Sequence, residues 1–180
     1  MINADAGGRA QVRKGFRWPD KRAMTQEKRG SRPNWTFFML SGLLALIFAS
    51  AFVGAALYLV LVEQPARLAL DDAAMIREWA PSDRRGFALL GGLAVATALA
   101  GLAAFSHGSD IRWLIGSLLT LASWPYTYFV IVPLNNRLLA ASTTRPDADA
   151  REIVTFWGQL EWGLLALGLA SVAVFAWTLT

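Results

Sequence analysis

The sequence has no cysteine and only one histidine, His107, and these absences exclude several kinds of functional site. Without a cysteine the chain forms no disulfide, holds no iron–sulfur cluster or zinc thiolate centre, and offers no thiol nucleophile. The histidine lies in a polar segment between apolar runs, where a solvated loop residue is expected. Phosphate-binding loops and nucleophile triads are also missing at any recognisable spacing. We therefore expect neither a metal nor a cofactor.

Charge is scarce as well: 17% of the residues are charged, against roughly a quarter in a soluble domain. Apolar residues make up 55% of the chain and are gathered in blocks. The first block, residues 35–62, contains no charged residue and exceeds the roughly 20 helical residues that cross a bilayer core. It is also longer than the roughly 7–15 apolar residues of a cleaved secretory signal, so we expect it to remain as an anchor. The composition predicts an integral membrane protein.

Four such blocks predict an all-α fold, a four-transmembrane-helix bundle within residues 34–180. The blocks are residues 35–62, 86–105, 113–132 and 153–179. In the third block, Pro125 predicts a kink and Pro133 predicts the end of the helix. In the second block, small residues at four-residue spacing predict a smooth face for close helix packing: Gly92, Ala96, Ala100 and Ala104.

The segment between the first two spans has a helical pattern of its own. Apolar residues recur there at helical spacing, namely Leu68, Met75, Ile76 and Trp79. This pattern predicts a short amphipathic helix between spans 1 and 2, lying on the membrane or capping the bundle.

A basic tail, residues 1–33, precedes the first span and holds nine of the 17 basic residues against three acids. Such a polar segment does not bury enough apolar surface to fold alone, so we expect it to be disordered or bound to a partner. Its charge fits retention on the cytoplasmic side, adhesion to anionic membrane lipid, or docking on a larger membrane protein complex. Nucleic acid is not an expected partner, because no recognition element accompanies the charge. We predict a bacterial cytoplasmic membrane protein with both termini cytoplasmic.

Polar residues at the ends of the spans are expected to meet on one side of the membrane. In an up-and-down bundle, the end of span 1, the start of span 2, the end of span 3 and the start of span 4 share one side. The residues that this arrangement brings together are Glu63, Arg67, Tyr126, Tyr128, Asn135, Asn136 and Glu161.

Most of these residues also have a purely structural interpretation. Glu63 and Arg67 are four residues apart and suit a simple ion pair on one helix face. Tyr126 and Tyr128 suit the membrane interface as well as a cavity wall. Asn135 suits the capping of carbonyl groups freed by the nearby proline. The pattern leaves both interpretations open.

Glu161 is the candidate catalytic residue, because it is the only ionisable residue within the fourth apolar block. A carboxyl group near the bilayer interior costs on the order of 3 kcal/mol on insertion scales, so we expect it to face the bundle. The alternative is that Glu161 reaches the headgroup water beside Trp157 and Trp162. Tryptophans near span ends suit an interfacial belt, namely Trp35, Trp113, Trp157 and Trp177, and Trp157 is also a candidate substrate-binding residue.

Several short motifs resemble the anthrone-oxygenase-like family of small membrane proteins. They are GAALY at residues 54–58, EQPARL at 63–68, WPYT at 124–127 with PLN at 133–135, and FWGQL at 156–160. The resemblance runs from about residue 35 to 179. It implies a four-helix membrane bundle, and in fungal members oxygenation of anthrones to anthraquinones without an evident cofactor. Where the family usually has a histidine and, three residues on, an arginine, this chain has Glu161 and Leu164.

Two functions follow from these observations. The favoured hypothesis is a non-catalytic protein, either an accessory subunit of a larger membrane complex or a binder of a small lipophilic molecule. The alternative is a cofactor-independent oxygenase-like enzyme for an aromatic or quinone-like lipophile. In that enzyme Glu161 is the acid or base, Arg67 or Asn135 donates to an oxyanion, and Tyr126 positions a ring.

Overall fold

The structure is a computed structural model and describes residues 35–144 and 149–180 of the chain. The predicted basic tail, residues 1–33, lies outside this range. Within it, helices follow one another with only short connections and no strand. In chain order they are α1 (Trp35–Tyr58), a π-helical turn (Leu59–Glu63), α2 (Gln64–Leu68), α3 (Asp72–Gly108), α4 (Ile111–Leu121), α5 (Ser123–Tyr126), a second π-helical turn (Thr127–Ile131), α6 (Val132–Thr144) and α7 (Asp149–Leu179).

These elements combine into four helices that are long and apolar enough to cross a membrane. We call them spans 1 to 4, and their bounds are Trp35–Leu68, Asp72–Gly108, Ile111–Ala140 and Ala150–Leu179. The all-α, four-helix prediction is therefore confirmed, and the chain is an integral membrane protein.

Small residues let the spans pack closely along narrow seams. On α1 the buried positions recur every three or four residues: Gly42, Ala45, Ala49, Phe52 and Ala56. Large apolar side chains such as Leu43 and Ile47 are exposed on its other faces, as expected of a helix whose outer surface contacts lipid. The buried seam of α7 also carries polar residues, Glu161 and Ser171.

The predicted separate amphipathic helix between spans 1 and 2 is wrong. Residue 72 begins α3, which continues without a break to Gly108. Asp71 caps this helix by accepting a hydrogen bond from the N–H of Ala74 at 2.8 Å, so a three-residue connection suffices. Met75 and Trp79 do share one helix face, but they are buried in the bundle core. The predicted amphipathic segment is thus the first part of a long helix from residue 72 onward.

Pro133 does not end the third span, contrary to the prediction. The helix breaks once, at Ala122, two residues before the Trp124–Pro125 pair, and α6 then continues through Pro133 to Thr144. A π-helical turn directly precedes α6, so Pro133 is the second residue of a new helix, where its missing N–H costs little. Pro65 has the same place in α2, after the other π-helical turn.

The close-packing face of span 2 matches the predicted one only in part. Gly92 is exposed, and a Cβ atom there would meet nothing within 4 Å. Of the predicted residues, Ala104 is buried and Ala100 packs partly buried against the same cluster. Ala94 and Gly101 are buried as well, and Gly101 lies against Ser117 of α4.

Candidate functional site

A small cavity lies in the half of the bundle that holds the two π-helical turns, where these turns face residues 82–91 of α3 and residues 157–164 of α7. Its volume is about 30 Å³, and we call it the acidic pocket. Carboxyl groups, hydroxyl groups and aromatic rings line it, namely Glu63, Asp83 and Glu161, then Ser82, Ser123 and Thr127, then Phe87, Trp124 and Trp157. Apolar residues such as Leu90, Ile131 and Leu164 complete the wall.

Glu161 lies inside the bundle and lines this pocket, as expected for a carboxyl group on an apolar span. The residue is only 5% exposed, and its Oε2 atom has no hydrogen-bond partner among the described residues. Trp157 and Leu164 lie about one helical turn before and after it, and both line the same pocket. The alternative in which Glu161 reaches headgroup water is therefore wrong, while its proposed chemical role stays a prediction.

Arg67, the second candidate, is buried next to the pocket and is bound on all sides. Its Nε donates to Glu78 at 2.5 Å, its Nη1 donates to Gln64 at 2.9 Å, and its Nη2 bonds Glu63 and also Ser82, the latter at 3.1 Å. The guanidinium thus joins the end of span 1 to the first turns of span 2. The predicted Glu63–Arg67 ion pair exists, but it is part of this larger buried cluster.

The same cluster reaches span 4. The guanidinium carbon of Arg67 lies 5.2 Å from the centre of the Trp157 ring. Gln64 donates from Nε2 to the carbonyl of Val154 at 2.8 Å. Gly158 makes this approach possible, because a Cβ atom there would overlap the Gln64 amide. Arg67 is therefore a structural hub beside the pocket and is not one of its lining residues.

Asn135 also lies near the pocket without lining it. Its Nδ2 donates to Oδ2 of Asp83 at 2.9 Å, which ties α6 to α3. Its Oδ1 is buried and has no hydrogen-bond partner in residues 35–144 and 149–180. Asn135 therefore holds the Asp83 carboxyl, which does line the pocket, in place.

The two tyrosine candidates lie in different surroundings, and neither lines the acidic pocket. Tyr126 donates from its hydroxyl to the carbonyl of Leu160 at 2.8 Å and packs over Gly163, outside the acidic pocket. Tyr128 is 67% exposed and packs edge-on against Phe129 at the outer surface. For Tyr128 the interfacial interpretation fits, and the structure does not bring it to the pocket.

Only two of the four predicted belt tryptophans are exposed. Trp35 and Trp177 are 67% and 64% exposed, which suits an interfacial position. Trp113 is fully buried beside Phe175, and Trp157 is 3% exposed. For these two the belt prediction is wrong. Trp113 packs over Gly42, where a Cβ atom would overlap its ring, and Trp157 packs edge-on against Trp79 with the Arg67 guanidinium over its ring. The Nε1 of Trp157 has no hydrogen-bond partner among the residues described.

The sequence pattern does not single out three wall residues on span 2, namely Ser82, Asp83 and Phe87. They lie just before or at the start of the second apolar block, in a stretch that the pattern assigns to a connection. The signal that would find two of them is the spacing of four residues between Asp83 and Phe87, which puts both on one face if the helix already begins at residue 72.

Two wider grooves adjoin the acidic pocket, one on each side of α3. The α1–α3 groove has a volume of about 570 Å³ and shares Glu63 and Ser82 with the pocket. The α3–α6 groove has a volume of about 640 Å³ and shares Asp83 and Phe87 with it. A ligand that approaches along either groove therefore meets the pocket wall.

Comparison with known proteins gives one match. The model of a family described as "Anthrone oxygenase" matches residues 79–179, more than half of the chain, including Trp124, Trp157 and Glu161. The first-span motifs at residues 54–58 and 63–68 lie outside the matched range. No curated protein and no solved structure matches the chain.

Proposed function

The chain belongs to the anthrone oxygenase family, and from this premise we propose that it binds a small aromatic lipophile, taken from the membrane, in the acidic pocket. One observation carries the proposal: Glu161 places a buried carboxyl oxygen without a hydrogen-bond partner, among the described residues, at the pocket wall. Buried polar atoms are nearly always hydrogen-bonded, so an exception calls for a ligand or a water that completes it.

The aromatic wall supports a ligand with a ring. Phe87 and Trp124 lie with ring centres 6.4 Å apart and planes tilted by 49°. Both side chains are about half exposed, so they are able to move apart. The pocket itself holds about one water molecule, so a ring is admitted when Phe87 turns and joins the pocket to the α3–α6 groove.

Oxygenation is the second candidate function, because Glu161 stands where the family resemblance has a histidine and its buried carboxyl group lines the pocket, where it is able to act as a base. In this reaction Glu161 accepts a proton from the methylene carbon of an anthrone. The carbanion passes one electron to O₂, and the two radicals combine to a peroxide anion, which takes the proton back from Glu161. Loss of water from this hydroperoxide leaves the quinone carbonyl. One anthrone and one O₂ then give one anthraquinone and one water.

The charge of the pocket favours binding over oxygenation. The anion formed from an anthrone needs a positive or hydrogen-bond-donating partner. The donors that sequence analysis suggested, Arg67 and Asn135, already bond carboxylates, and neither lines the pocket. Glu63 and Asp83 add negative charge beside Glu161, and this charge opposes formation of the anthrone anion in the pocket.

A matched pair of neighbouring glycines tests the binding proposal. Gly91 lines the acidic pocket, and a Cβ atom there would lie 3.7 Å from Trp124, an ordinary contact distance. Gly92 faces open space on the same helix. We expect Gly91→Leu to fill the pocket and to remove the small molecules that co-purify with the wild type, as measured by mass spectrometry of extracts. Gly92→Leu is the control and should retain them.

Equal small-molecule content in both folded variants and in the wild type would contradict ligand binding at this pocket. The oxygenation candidate needs a separate measurement, namely anthraquinone formation and O₂ uptake with anthrone as substrate. Turnover by the wild type that Glu161→Gln abolishes would support it, and equal rates in the two proteins would reject it. The accessory-subunit hypothesis depends on the tail, residues 1–33, and stays a prediction.

A further inference from the structure

The walls of the acidic pocket carry charge of one sign. Three carboxyl groups line it, from Glu63, Asp83 and Glu161, and no lysine, arginine or histidine does so in the part of the chain that the structure describes. Each of the three comes from a different span, so the bundle brings them together although they are far apart in sequence.

The nearest buried cation does not balance these groups. Arg67 is already paired with two carboxylates, Glu63 and Glu78. Asp83 receives the neutral amide of Asn135, and Glu161 receives no hydrogen bond at Oε2 from the described residues. An ionised carboxylate in an apolar setting is costly until a counter-charge reaches it. No cation of the described chain lines the pocket beside Glu161, so a bound cation meets no competing partner there.

Two other arginines lie farther out and do not supply that charge. Arg84 and Arg85 are exposed on α3, twelve and thirteen residues after its start, and line the outer grooves. Exposed charges are screened by salt, whereas a charge inside the pocket is not. These arginines therefore leave the attraction within the pocket largely unchanged.

The aromatic rings of the wall suit a cation as well. The faces of tryptophan and phenylalanine rings attract ammonium groups, and the attraction grows when water is excluded. Trp124 and Phe87 line the pocket, while one face of Trp157 is already covered by Arg67.

We propose that the ligand of the acidic pocket is a lipophilic cation that carries an aromatic ring, with its ammonium group beside Glu161 and its ring between Phe87 and Trp124. This inference rests on the proposed ligand binding and specifies the class of ligand. It excludes an anionic lipophile, which three carboxyl groups repel, and it makes a neutral ring of the same shape a weaker ligand.

Ligands of one shape and different charge provide the test. Phenyltrimethylammonium and tert-butylbenzene have the same heavy-atom skeleton and differ in their charge, and benzenesulfonate supplies the opposite sign. Binding of each to the full chain in lipid nanodiscs is measured by calorimetry, with empty nanodiscs as the blank. We expect the cation to bind at least roughly tenfold more tightly than the neutral isostere, and benzenesulfonate to show no binding.

A variant pair then locates the charge that matters. Glu161→Gln should weaken binding of the cation by roughly tenfold or more and leave the neutral isostere unaffected. Glu152→Gln changes an exposed carboxyl group on the same helix and should change neither. The comparison of the two ligands on the wild type needs no variant, so the proposal stays testable if Glu161→Gln fails to fold.

The outcomes separate this inference from the proposed function. Equal binding of cation and neutral isostere by the wild type would overturn the charge preference, as would cation binding that Glu161→Gln leaves unchanged. In either case a loss of co-purifying molecules in Gly91→Leu and not in Gly92→Leu would still support the pocket as a binding site. Tighter binding of the cation that depends on Glu161 supports the inference.

Discussion

At the scale of single residues, two buried ionisable side chains of the bundle differ in whether their polar atoms have hydrogen-bond partners. Arg67 is 2% exposed and uses all three of its nitrogen atoms as donors to side chains on α2, the preceding turn and α3. Glu161 is similarly buried but keeps Oε2 without a partner in the described chain. A satisfied buried charge fixes structure, whereas an unsatisfied one is available to a ligand.

Removing the guanidinium should therefore damage the fold itself. We expect Arg67→Met to lower the free energy of unfolding by about 3 kcal/mol, because it leaves Glu63 and Glu78 facing each other without their cation. Arg77→Met alters an exposed arginine on α3 and is the matched control, with an expected change of less than about 0.5 kcal/mol. Reversible unfolding in mixed detergent micelles measures both. Similar losses for the two variants would show that the cluster around Arg67 is not stabilising.

Asp110, at the opposite end of the bundle, allows a prediction about pH. Its pKa lies below its ordinary value of 3.8 because its carboxylate accepts hydrogen bonds from the Arg112 side chain and, in second place, from the Arg112 backbone N–H. A lowered pKa means that the contribution of this pair is complete above the ordinary value and is lost as pH falls through the lower folded value.

Carboxyl ¹³C NMR of Asp110 measures this directly. We expect a titration midpoint below 3.8 in the wild type and a shift upward, toward that value, in Arg112→Gln. Arg77→Gln, a distant exposed change, should leave the midpoint where it was. An Asp110 midpoint that Arg112→Gln does not raise would show that the hydrogen bonds to the carboxylate do not persist in the membrane.

At the scale of helices, the sequence predicts the spans well because a bilayer demands long apolar runs, and those are plain in the composition. It predicts helix ends less well. Pro133 signals a stop by the usual steric rule, yet a π-helical turn just before it allows the helix to restart. Nothing in the local pattern distinguishes these two outcomes, since the π-helical turn depends on packing against the neighbouring spans.

A site residue is predictable from the sequence when its side chain differs in polarity from the residues around it. Glu161 is found because an ionisable residue inside an apolar run is costly and therefore almost always faces the bundle interior. Tyr128 is misplaced because it is two residues from Tyr126, which on a helix turns it to nearly the opposite face. Asp83 is missed because it lies among other charged residues on α3, and only its contact with Asn135 on another span shows which of them turns inward.

Close packing of spans 2, 3 and 4 leads to a prediction about glycines. A Cβ atom at Gly116 would overlap the ring of Phe175, which is fully buried and has no room to move away. We expect Gly116→Ala to destabilise the protein by roughly 1–3 kcal/mol through overpacking. Gly92→Ala, in open space on α3, should be neutral or stabilising by up to roughly 1 kcal/mol, because alanine favours a helix. The same detergent unfolding measures both, and an equal effect would contradict the tight seam.

At the scale of the whole molecule, contacts between spans place both ends of the described chain on the side opposite the acidic pocket. Arg112, at the start of span 3, donates to the carbonyl of Trp177 at the end of span 4 at 3.3 Å. Phe38, at the start of span 1, packs edge-on against Trp113. The acidic pocket lies at the other end, where Arg151 donates to the carbonyl of Leu68 at 2.7 Å. The spans therefore run up and down in alternation.

The basic residues decide which side of the membrane holds the pocket, and two groups of them predict opposite orientations. The connections on the pocket side and the segments next to them carry seven arginines, namely Arg67, Arg77, Arg84, Arg85, Arg137, Arg145 and Arg151. The connection on the other side adds only Arg112. Five basic residues lie close to the first span, namely Lys21, Arg22, Lys28, Arg29 and Arg32. Because the first span usually dominates insertion, our prediction gives these five more weight than the seven arginines on the pocket side. We therefore propose cytoplasmic termini in a bacterial cytoplasmic membrane, with the pocket on the far side.

This balance makes the orientation sensitive to a few charges. Reporter fusions at Ser142 and Thr180 should report opposite compartments, with Thr180 cytoplasmic. Replacing the five basic residues near span 1 by glutamine should invert the insertion, because the seven arginines on the pocket side are then retained in the cytoplasm. Replacing Arg9, Arg13 and Lys14, which lie more than 20 residues before Trp35, is the control and should leave the orientation unchanged. A cytoplasmic Ser142 in the unaltered chain would show that the arginines on the pocket side already prevail, and that ligands reach the acidic pocket from the cytoplasm.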